Sequence, residues 1–230
     1  MKVLLVVPAY NEEDNILNVS RAIEAKGYDY VVVNDGSRDG TLELCKQQGI
    51  PVLDLPQNLG IGGAVQAGHK YALLHGYDVD IQFDGDGQHD IDSVPNLLSE
   101  IECGADLVIG SRFVDGFESE FQSTFMRRVG IKWLSKTIKL FSGLSITDPT
   151  SGFRACGKRA IELFSREYPI DYPEPESIVD ASKNGLEVKE THVEMHERAG
   201  GVSSIGKLSS IYYMVKVTIA IAIAGFSRSR

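Results

Sequence analysis

Cysteine and basic residues are both scarce in this chain, and each scarcity excludes a class of protein. The three cysteines, Cys45, Cys103 and Cys156, lie far apart and lack the spacing of zinc ligands. They therefore exclude a disulfide framework or a zinc finger and are typical of reduced thiols in a cytoplasmic protein. Basic residues number 23 against 32 acidic ones, for a formal net charge of −9. Because affinity for a phosphate backbone depends on clustered cations, this balance argues against a nucleic-acid-binding protein.

Long apolar runs are rare as well. The N-terminal run of five apolar residues ends at Pro8, which is too short for the core of a signal peptide and predicts a first strand. The stretch 208–226 approaches the roughly 20 residues of a membrane span, but Lys216 lies within it, where a charge is costly. We therefore expect a main domain over residues 1–205 and a hydrophobic helix over 206–230 that lies on a membrane surface or contacts a partner. A helix buried in the core or in a dimer interface is the alternative.

Short runs rich in valine and isoleucine alternate along the chain with segments of helical period. Nearly continuous apolar runs predict strands buried on both faces, and the repeated strand–helix unit predicts an α/β fold with a mostly parallel sheet. Ligands bind such sheets beyond the carboxyl ends of the strands, so the loops after Val7, Val33 and Phe83 should face one crevice. The predicted strands are 3–7, 30–33, 52–55, 79–83 and 107–109, and the predicted helices are about 13–26, 41–48, 63–75 and 93–102.

The most informative of these loops is an acidic turn at residues 84–89. Asp84, Asp86 and Gln88 offer three oxygen-bearing side chains within five residues, and the glycines between them let alternate side chains converge. Hard cations such as Mg²⁺ and Mn²⁺ prefer such oxygens and leave coordination positions open for phosphate. The turn therefore predicts a divalent-metal site at a strand end, although aspartate and glycine also occur in ordinary turns.

Two other loops carry polar side chains suited to a nucleotide. Residues 8–13 offer the Tyr10 ring for stacking and the Glu12 carboxylate for hydrogen bonding, or they simply cap the next helix. Residues 34–41 expose Asp35 at a strand tip, where it is able to accept hydrogen bonds from a base. The glycine-rich segment 58–64 opens a helix and would let the backbone approach a diphosphate. A nicotinamide enzyme is disfavoured, because its glycine fingerprint would follow the first strand.

Six motifs in order resemble those of family 2 glycosyltransferases, and within that family the chain looks most like the polyprenyl-phosphate sugar synthases. They are residues 8–13, 34–41, 58–60, 84–89, 110–112 and 151–154. The resemblance covers roughly residues 1–205. It implies a glycosyltransferase A-type fold, an inverting mechanism and a nucleotide-diphosphate sugar held by Mg²⁺ or Mn²⁺. The donor is a UDP-sugar by preference, with a GDP-sugar left open.

The resemblance also assigns roles to individual residues on the donor side. Pro8, Tyr10 and Glu12 would line the nucleoside pocket, and Asp35 would bind the base. Asp84 would lie near the ribose and the metal, while Asp86 and Gln88 would complete the metal's ligands, with Asp86 acting in catalysis.

On the acceptor side, the resemblance implicates arginines in binding a polyprenyl phosphate. Arg112, Arg127 and Arg198 match the family's positions, and Ser203 belongs to the last of these motifs. The spacing departs from the family here: Gly201 and Val202 are extra in that motif, and Ile131 stands where a serine is expected. Such arginines suit bidentate phosphate binding. Alternatively, they pair with nearby acids such as Glu118 and Glu120.

A rival chemistry depends on Glu174 and Glu176, which stand just before a predicted helix where family members that act on hydroxyls keep a catalytic base. A sugar hydroxyl must lose its proton as it attacks, whereas a phosphate is already anionic. Glu176, or Glu174, is therefore the candidate base for transfer to a sugar hydroxyl; orienting the acceptor or capping the helix are the other roles. A protein that binds a nucleotide sugar without turnover is a second alternative.

The combined hypothesis is a transferase that moves a hexose to undecaprenyl phosphate for cell-envelope polysaccharide modification. We expect it in the cytoplasm, peripheral on the inner face of the cell membrane, with a small membrane protein or a second copy as a partner.

Overall fold

Seven strands form one sheet in the computed structural model, which describes residues 1–114, 125–195 and 209–226, with side chains from 128 and from 214 onward in the last two ranges. The strands are β1 (Val3–Ala9), β2 (Asp29–Asn34), β3 (Val52–Asp54), β4 (Val79–Gln82), β5 (Leu107–Ser111), β6 (Arg154–Gly157) and β7 (Val188–His192). Their order is β3-β2-β1-β4-β6-β5-β7. Only β6 runs antiparallel, between β4 and β5. The carboxyl ends of β1, β2 and β4 therefore meet at one edge, as the strand pattern predicts.

Eight helices cover the two faces of this sheet in the described part of the chain. They are α1 (Ile16–Lys26), α2 (Thr41–Gln48), α3 (Gly60–Leu74), α4 (Val94–Glu102), α5 (Phe125–Ser142), α6 (Lys158–Arg166), α7 (Pro173–Lys183) and α8 (Ser209–Phe226). A short 3₁₀ turn, Ile91–Ser93, precedes α4. Side chains of α1, α2 and α4 form one hydrophobic core with the sheet, and those of α3, α5, α6, α7 and α8 form the other.

Strand β1 shows why its sequence is apolar throughout. Leu4 and Val6 point into one core, while Leu5 and Val7 point into the other, and all four are buried. Successive side chains of a strand alternate between faces, so a strand covered on both sides needs apolar residues at every position. Burying each such side chain stabilises the fold by about 1.5–3 kcal/mol.

The predicted elements are all present, with shifted ends. Helix α1 begins at Ile16 rather than residue 13, because Asn11 has a φ of 57° and the N–H groups of Asn15 and Ile16 both donate to the carbonyl of Glu12 in a turn. Helix α3 begins three residues earlier than its pattern predicts, at Gly60. The sequence pattern does not predict β6, β7, α5 or α6.

Helix α8 packs against the same core as its neighbours rather than standing apart from it. Val217, Ile221 and Ala224 are buried on one side of the helix. The Lys183 ammonium of α7 donates to the carbonyls of Ala224 and Gly225, at 3.0 and 2.5 Å. One face of the predicted C-terminal helix is thus a core face, and the opposite face is exposed. No helix among the described residues is long and apolar enough to span a bilayer.

Candidate active site

A crevice of about 780 Å³ lies beyond the carboxyl ends of β1, β2 and β4. The three loops that carry polar motifs line it together, as the strand pattern predicts. The N–H of Gly85 donates to the carbonyl of Pro8 at 3.3 Å, which connects the first loop to the acidic turn. The lining residues are Pro8, Ala9, Tyr10, Asn11, Glu12, Asp14, Asn15, Asp35, Asn58, Gly60, Ile61, Ala64, Asp84, Gly85 and Asp86.

Side chains join the first two loops into one wall. The N–H of Asn11 donates to Ser37 Oγ at 3.0 Å, and its own side-chain oxygen accepts from the N–H of Arg38 at 2.8 Å. The N–H of Glu12 donates to Thr41 Oγ1 at 2.9 Å. These bonds hold the backbone on either side of Tyr10. The Tyr10 ring is exposed and lines the crevice, so a planar ligand could stack on it.

Asp35 joins this wall to the start of α3. Its carboxyl is buried, and Oδ1 accepts a 2.7 Å hydrogen bond from the N–H of Leu59. Gly36 follows with a φ of 66°, and a Cβ there would lie 2.8 Å from the backbone nitrogen of Asn58. The close approach therefore requires glycine, and it brings the first turn of α3 to the crevice.

Two side chains, Gln82 and His89, hold Asp84 in place. The Gln82 amide donates to Asp84 Oδ1 at 3.0 Å, and the N–H of Asp84 donates to His89 Nδ1 at 3.0 Å. Since Nδ1 accepts, the proton of a neutral His89 lies on Nε2, which is 3.5 Å from Asp84 Oδ2. Burial lowers the pKa of His89, and its ring stacks on Phe153 at 4.6 Å. His89 is thus a neutral support for the acidic turn.

Gly152 completes the packing around Asp84. A Cβ at this position would lie 2.8 Å from Gln82 Nε2 and 3.0 Å from Asp84 Oδ2. Any larger residue would displace the carboxyl or its amide partner. The sequence places Gly152 in a motif but does not reveal this contact, which crosses from the loop before β6 to the end of β4.

Asp84 and Asp86 both line the crevice, and their donor set fits a hard divalent cation. The Asp84 side chain is 31% exposed. Asp86 Oδ1 accepts from the N–H of Gln88 at 3.1 Å, and Gly87 has a φ of 75° that closes the turn. Gln88 itself does not belong to the residues that line the crevice.

Arg154 connects the 149–151 loop to α7. Its buried guanidinium donates to the carbonyls of Ser151 at 2.7 Å, Glu174 at 2.7 Å and Pro149 at 3.1 Å, and to Ser177 Oγ at 2.9 Å. Burial raises the pKa of Glu174, the Arg154 charge lowers it, and the Asp84 charge raises it further. The Glu174 carboxyl therefore lies within electrostatic reach of the acidic turn. Sequence reasoning gave Arg154 no role of its own.

Glu176, two residues further on, has different neighbours. Burial raises its pKa to about 7, and the charges of Asp180 and Asp171 add to that rise. Neither Glu176 nor Glu174 belongs to the residues that line the crevice. Of the two candidate bases, Glu174 is the one whose pKa the charge of Asp84 raises.

Arg112 is buried in a bidentate pair with Asp148. Its Nε lies 2.6 Å from Oδ2 and its Nη2 lies 2.8 Å from Oδ1. A phosphate at this guanidinium would compete with that carboxylate. The Arg112 charge also lowers the pKa of His89, which places it near the acidic turn. The Arg127 side chain, Arg198 and Ser203 lie outside the described residues, as do Glu118 and Glu120.

A second polar cluster lies in the core, away from the crevice. Among the described residues, His69, Asp80 and Cys156 bring donor atoms within 4.8 Å of one another. His69 Nδ1 lies only 2.7 Å from Asp80 Oδ2. Two ligands about 2.0 Å from a tetrahedral zinc ion would lie about 3.3 Å apart, so we interpret this pair as a hydrogen bond. Burial raises the pKa of the Cys156 thiol.

Comparison with known sequences connects this geometry to a family. A family model described as Glycosyl transferase family 2 matches residues 4–164. The polyprenol monophosphomannose synthase of Mycolicibacterium smegmatis is 33% identical over 94% of this chain and 85% of its own length. The UDP-N-acetylglucosamine–dolichyl-phosphate N-acetylglucosaminyltransferase of Methanococcus voltae is 31% identical over 83% of this chain and 84% of its own length.

Solved structures share the fold at lower identity. Glucosyl-3-phosphoglycerate synthase from Mycobacterium tuberculosis, in complex with Mn²⁺, uridine diphosphate and glucosyl-3-phosphoglycerate, superposes with a TM-score of 0.66 at 20% identity. The match covers 97% of this chain and 79% of that one. S. aureus TarS 1-349 gives a TM-score of 0.58 at 14% identity, over 100% of this chain and 67% of its own.

Proposed function

We propose, from the premise that this chain belongs to glycosyl transferase family 2, that it moves a hexose from a UDP-sugar to a polyprenyl phosphate with inversion at the anomeric carbon. The chain is a nucleotide-sugar-dependent glycosyltransferase with an A-type fold, which confirms the family and the fold expected from its motifs. The observation that carries the proposal is the meeting of Tyr10, Asp35, Asp84 and Asp86 in one crevice.

The donor half of the proposal follows from the two ends of this crevice. An exposed ring and a buried carboxylate at one end suit a nucleobase, which offers a face for stacking and N–H groups for hydrogen bonding. At the other end, Asp84 and Asp86 would hold Mg²⁺ or Mn²⁺, which would stabilise the charge that develops on the departing diphosphate. A solved structure of the same fold was determined with Mn²⁺ and uridine diphosphate, which supports UDP over GDP as the carrier.

The acceptor half is supported by the relatives and by Glu174. Both sequence relatives are named for polyprenol or dolichyl phosphate. Burial raises the pKa of Glu174, so this carboxyl is protonated more readily than an exposed one and repels an anionic phosphate less. A phosphate oxygen attacks without losing a proton, and the crevice then needs no base. Polyprenyl phosphates reside in membranes, so the enzyme would work at the cytoplasmic membrane face.

A sugar hydroxyl as acceptor is the second candidate, because a carboxyl with a raised pKa beside the acidic turn also suits a general base. Glu174→Gln separates the two chemistries. With a phosphate acceptor we expect turnover within about threefold of wild type, whereas loss of a general base costs about 10²–10⁴-fold. The measurement is kcat at saturating donor, on undecaprenyl phosphate and on a panel of sugar hydroxyls.

The direct test is Mn²⁺-dependent transfer from a panel of UDP- and GDP-sugars to undecaprenyl phosphate. Asp86→Ala should reduce turnover by at least about 10²-fold, because it removes a ligand for the cation that stabilises the leaving group. Glu102→Ala, which removes an exposed carboxylate at the end of α4, is the matched control and should not reduce it. Nuclear magnetic resonance of the product reads the anomeric configuration and so tests inversion.

Three results would count against the proposal. Transfer only to sugar hydroxyls would contradict a polyprenyl phosphate as the acceptor. Transfer only from GDP-sugars would contradict a UDP-sugar as the donor. Tight nucleotide-sugar binding without turnover on any acceptor would favour a non-catalytic binding protein.

A further inference from the structure

Helices α5 and α8 carry a charge opposite to that of the rest of the chain. Six of the 23 basic residues lie in these two helices, and none of the 32 acidic residues does. The protein as a whole has a net charge of −9, so this separation creates one cationic region on an acidic molecule. A local field of this kind orients a protein toward an anionic surface.

The exposed cations of α5 form one stripe. Arg128, Lys132, Lys136 and Lys139 are all exposed, and at 3.6 residues per turn they fall within an arc of about 80°. The adjoining sector of the same helix is apolar and exposed: Val129 and Trp133 stand at about half exposure, and Leu140 is 79% exposed. A helix surface that is basic on one side and apolar beside it is typical of helices that lie in a membrane interface.

Helix α8 continues the apolar part of this surface. Val215, Ile219, Ile223 and Phe226 repeat at helical spacing and are exposed, with Ile223 at 65% and Phe226 at 82%. The side of α8 turned away from them is buried in the core. Seven exposed apolar side chains on two neighbouring helices exceed the scattered apolar residues of an ordinary soluble surface.

Two contacts between the helices hold these stripes side by side. The Trp133 indole N–H donates to Thr218 Oγ1 at 3.0 Å, and Thr218 stands next to Ile219 in the chain. Phe141 and Phe226 pack edge to face, 5.4 Å apart. The two helices therefore form one surface, the α5/α8 face, made of Val129, Trp133, Leu140, Val215, Ile219, Ile223 and Phe226 with the basic stripe 128, 132, 136 and 139.

We propose that the α5/α8 face docks on an anionic lipid bilayer, with its apolar side chains among the acyl chains and its lysines at the headgroups. The acidic remainder of the protein would be repelled by such a bilayer, so docking selects this face. A symmetric dimer through the same face would place two basic stripes against each other, which disfavours a second copy as the occupant. Lysine stems extend along apolar surface while their ammonium groups reach phosphate oxygens.

The face is attached to the segment that leads into α7. Lys216 of α8 pairs with Asp171 at 2.9 Å, and Asp171 precedes Glu174 by three residues. Docking through α5 and α8 would hold α7, and with it Glu174, close to the bilayer. This part of the inference rests on the proposed function, since it explains how a phosphate anchored in a bilayer would reach the crevice; docking itself does not depend on turnover.

Trp133 makes the proposal directly measurable, because it is the only tryptophan in the chain. With vesicles of phosphatidylcholine containing phosphatidylglycerol, we expect its emission to shift to the blue and to be quenched by brominated acyl chains. Vesicles of phosphatidylcholine alone should give a much weaker response, and salt should weaken the response to anionic vesicles. No spectral change with anionic vesicles would overturn the proposal.

Charge reversal tests the basic stripe against a matched control. The triple variant Lys132→Glu, Lys136→Glu and Lys139→Glu should bind anionic vesicles at least about tenfold more weakly. Arg21→Glu, Lys46→Glu and Lys70→Glu make the same change in net charge at exposed positions elsewhere and should retain binding. If both triple variants lose vesicle binding equally, the loss reflects net charge alone and contradicts a docking face. A concentration-dependent dimer that the first triple abolishes would identify a second copy as the occupant instead.

A short-chain, water-soluble polyprenyl phosphate separates docking from the proposed function. The first triple should use this soluble acceptor as well as wild type does and should lose activity only on acceptor in anionic vesicles. If the first triple loses activity on both the soluble acceptor and the acceptor in vesicles, these lysines affect the crevice itself, and the loss is not one of docking. If wild type binds vesicles but turns over neither acceptor, docking stands and the proposed function fails.

Discussion

The proposed donor side and the proposed acceptor side of the site are built in different ways. On the donor side, Tyr10, Asp35 and Asp84 each lie within two residues of the end of a parallel strand, so the sheet alone brings them together. On the acceptor side, Glu174 stands at the start of α7, which Arg154 joins to the 149–151 loop by binding backbone and side-chain oxygens on both. A site formed by residues at strand ends can be predicted from a sequence, whereas a site held by the hydrogen bonds of a buried arginine cannot.

The largest effect on stability should come from removing the hydrogen bonds of Arg154. Arg154→Met removes the guanidinium that donates to the buried carbonyls of Pro149, Ser151 and Glu174, and we expect the free energy of unfolding to fall by at least about 3 kcal/mol. Urea denaturation measures this loss. Arg159→Met is the matched control: Arg159 binds a carboxylate and a carbonyl, but its side chain is mostly exposed, so its loss should cost less than about 1 kcal/mol.

In any Arg154 variant that still folds, the comparison predicts a larger rise in the acceptor KM than in the donor KM. Arg154→Lys, which restores one cation, should recover part of the stability. Equal changes in the two KM values would mean that the two sides of the crevice are not separate.

Asp35→Asn should produce the converse effect on the donor side. The amide oxygen is able to keep the hydrogen bond from Leu59, but the charge that would accept from the nucleobase is gone. Hydrogen bonds to charged groups contribute about 1.5–3 kcal/mol, so kcat/KM for the nucleotide sugar should fall about 10–100-fold. Steady-state kinetics with the donor varied measures this fall, and an unchanged donor KM would remove Asp35 from the nucleotide site.

Gly152→Ala tests the contact between the loop before β6 and Asp84. The added methyl group would meet Gln82 Nε2 at 2.8 Å and Asp84 Oδ2 at 3.0 Å, so Asp84 must move and turnover should fall about tenfold. Gly157→Ala is the matched control, since a Cβ there meets nothing closer than 3.5 Å. Mn²⁺ titration of activity should show a raised metal requirement for the first variant only.

The smallest effect concerns Glu176 and its pH dependence. Its pKa rises from 4.5 to about 7 on folding, so the folded state binds more protons than the unfolded state between those values. Stability from this carboxyl is therefore lost as pH rises through that window. Glu176→Gln removes the loss, and we expect its Tm to exceed that of wild type by about 2–4 °C at pH 8 and by little at pH 4.5. Scanning calorimetry at the two pH values measures the difference.

A collapse of turnover in the same variant would restore Glu176 as the candidate base. Glu174→Gln, assayed beside it, shows which of the two carboxyls would act as the base in transfer to a sugar hydroxyl. With a phosphate acceptor we expect neither substitution to change kcat by more than about threefold.

Local residue patterns account for the five strands and four helices that sequence reasoning identifies. Runs such as 30–33 are apolar at every position because both faces are covered, and glycines mark the turns between them. The same reasoning misses β6, which has only four residues, includes an arginine and enters the sheet antiparallel between two strands distant in sequence. It also misses β7, an edge strand that pairs with β5 alone and in which only Val188 is apolar.

Helix α8 (Ser209–Phe226) lies within the predicted C-terminal segment 206–230, and its contact with a membrane surface or a partner stays a prediction. Its apolar content predicts a helix with one face that contacts a membrane surface, a partner or the core, and Lys216 argues against a membrane span. Which residues face the core could not be read from it, because nearly every position is apolar and no period stands out. The packing of Val217 and Ile221 against α5 and α7 decides that, and it leaves the opposite stripe exposed.

The order of motifs along the chain was enough to infer the family, the parallel sheet and the acidic turn. Motifs that follow parallel strands lie at the same edge of the sheet, whatever the order of the strands. Tertiary structure alone decided that Arg154 joins α7 to the 149–151 loop, that Asp148 pairs with Arg112 and that His89 supports the acidic turn as a neutral ring. The physical reason is that hydrogen-bond partners and burial depend on contacts between residues far apart in sequence, and these contacts set both the pKa values and the positions of the charges.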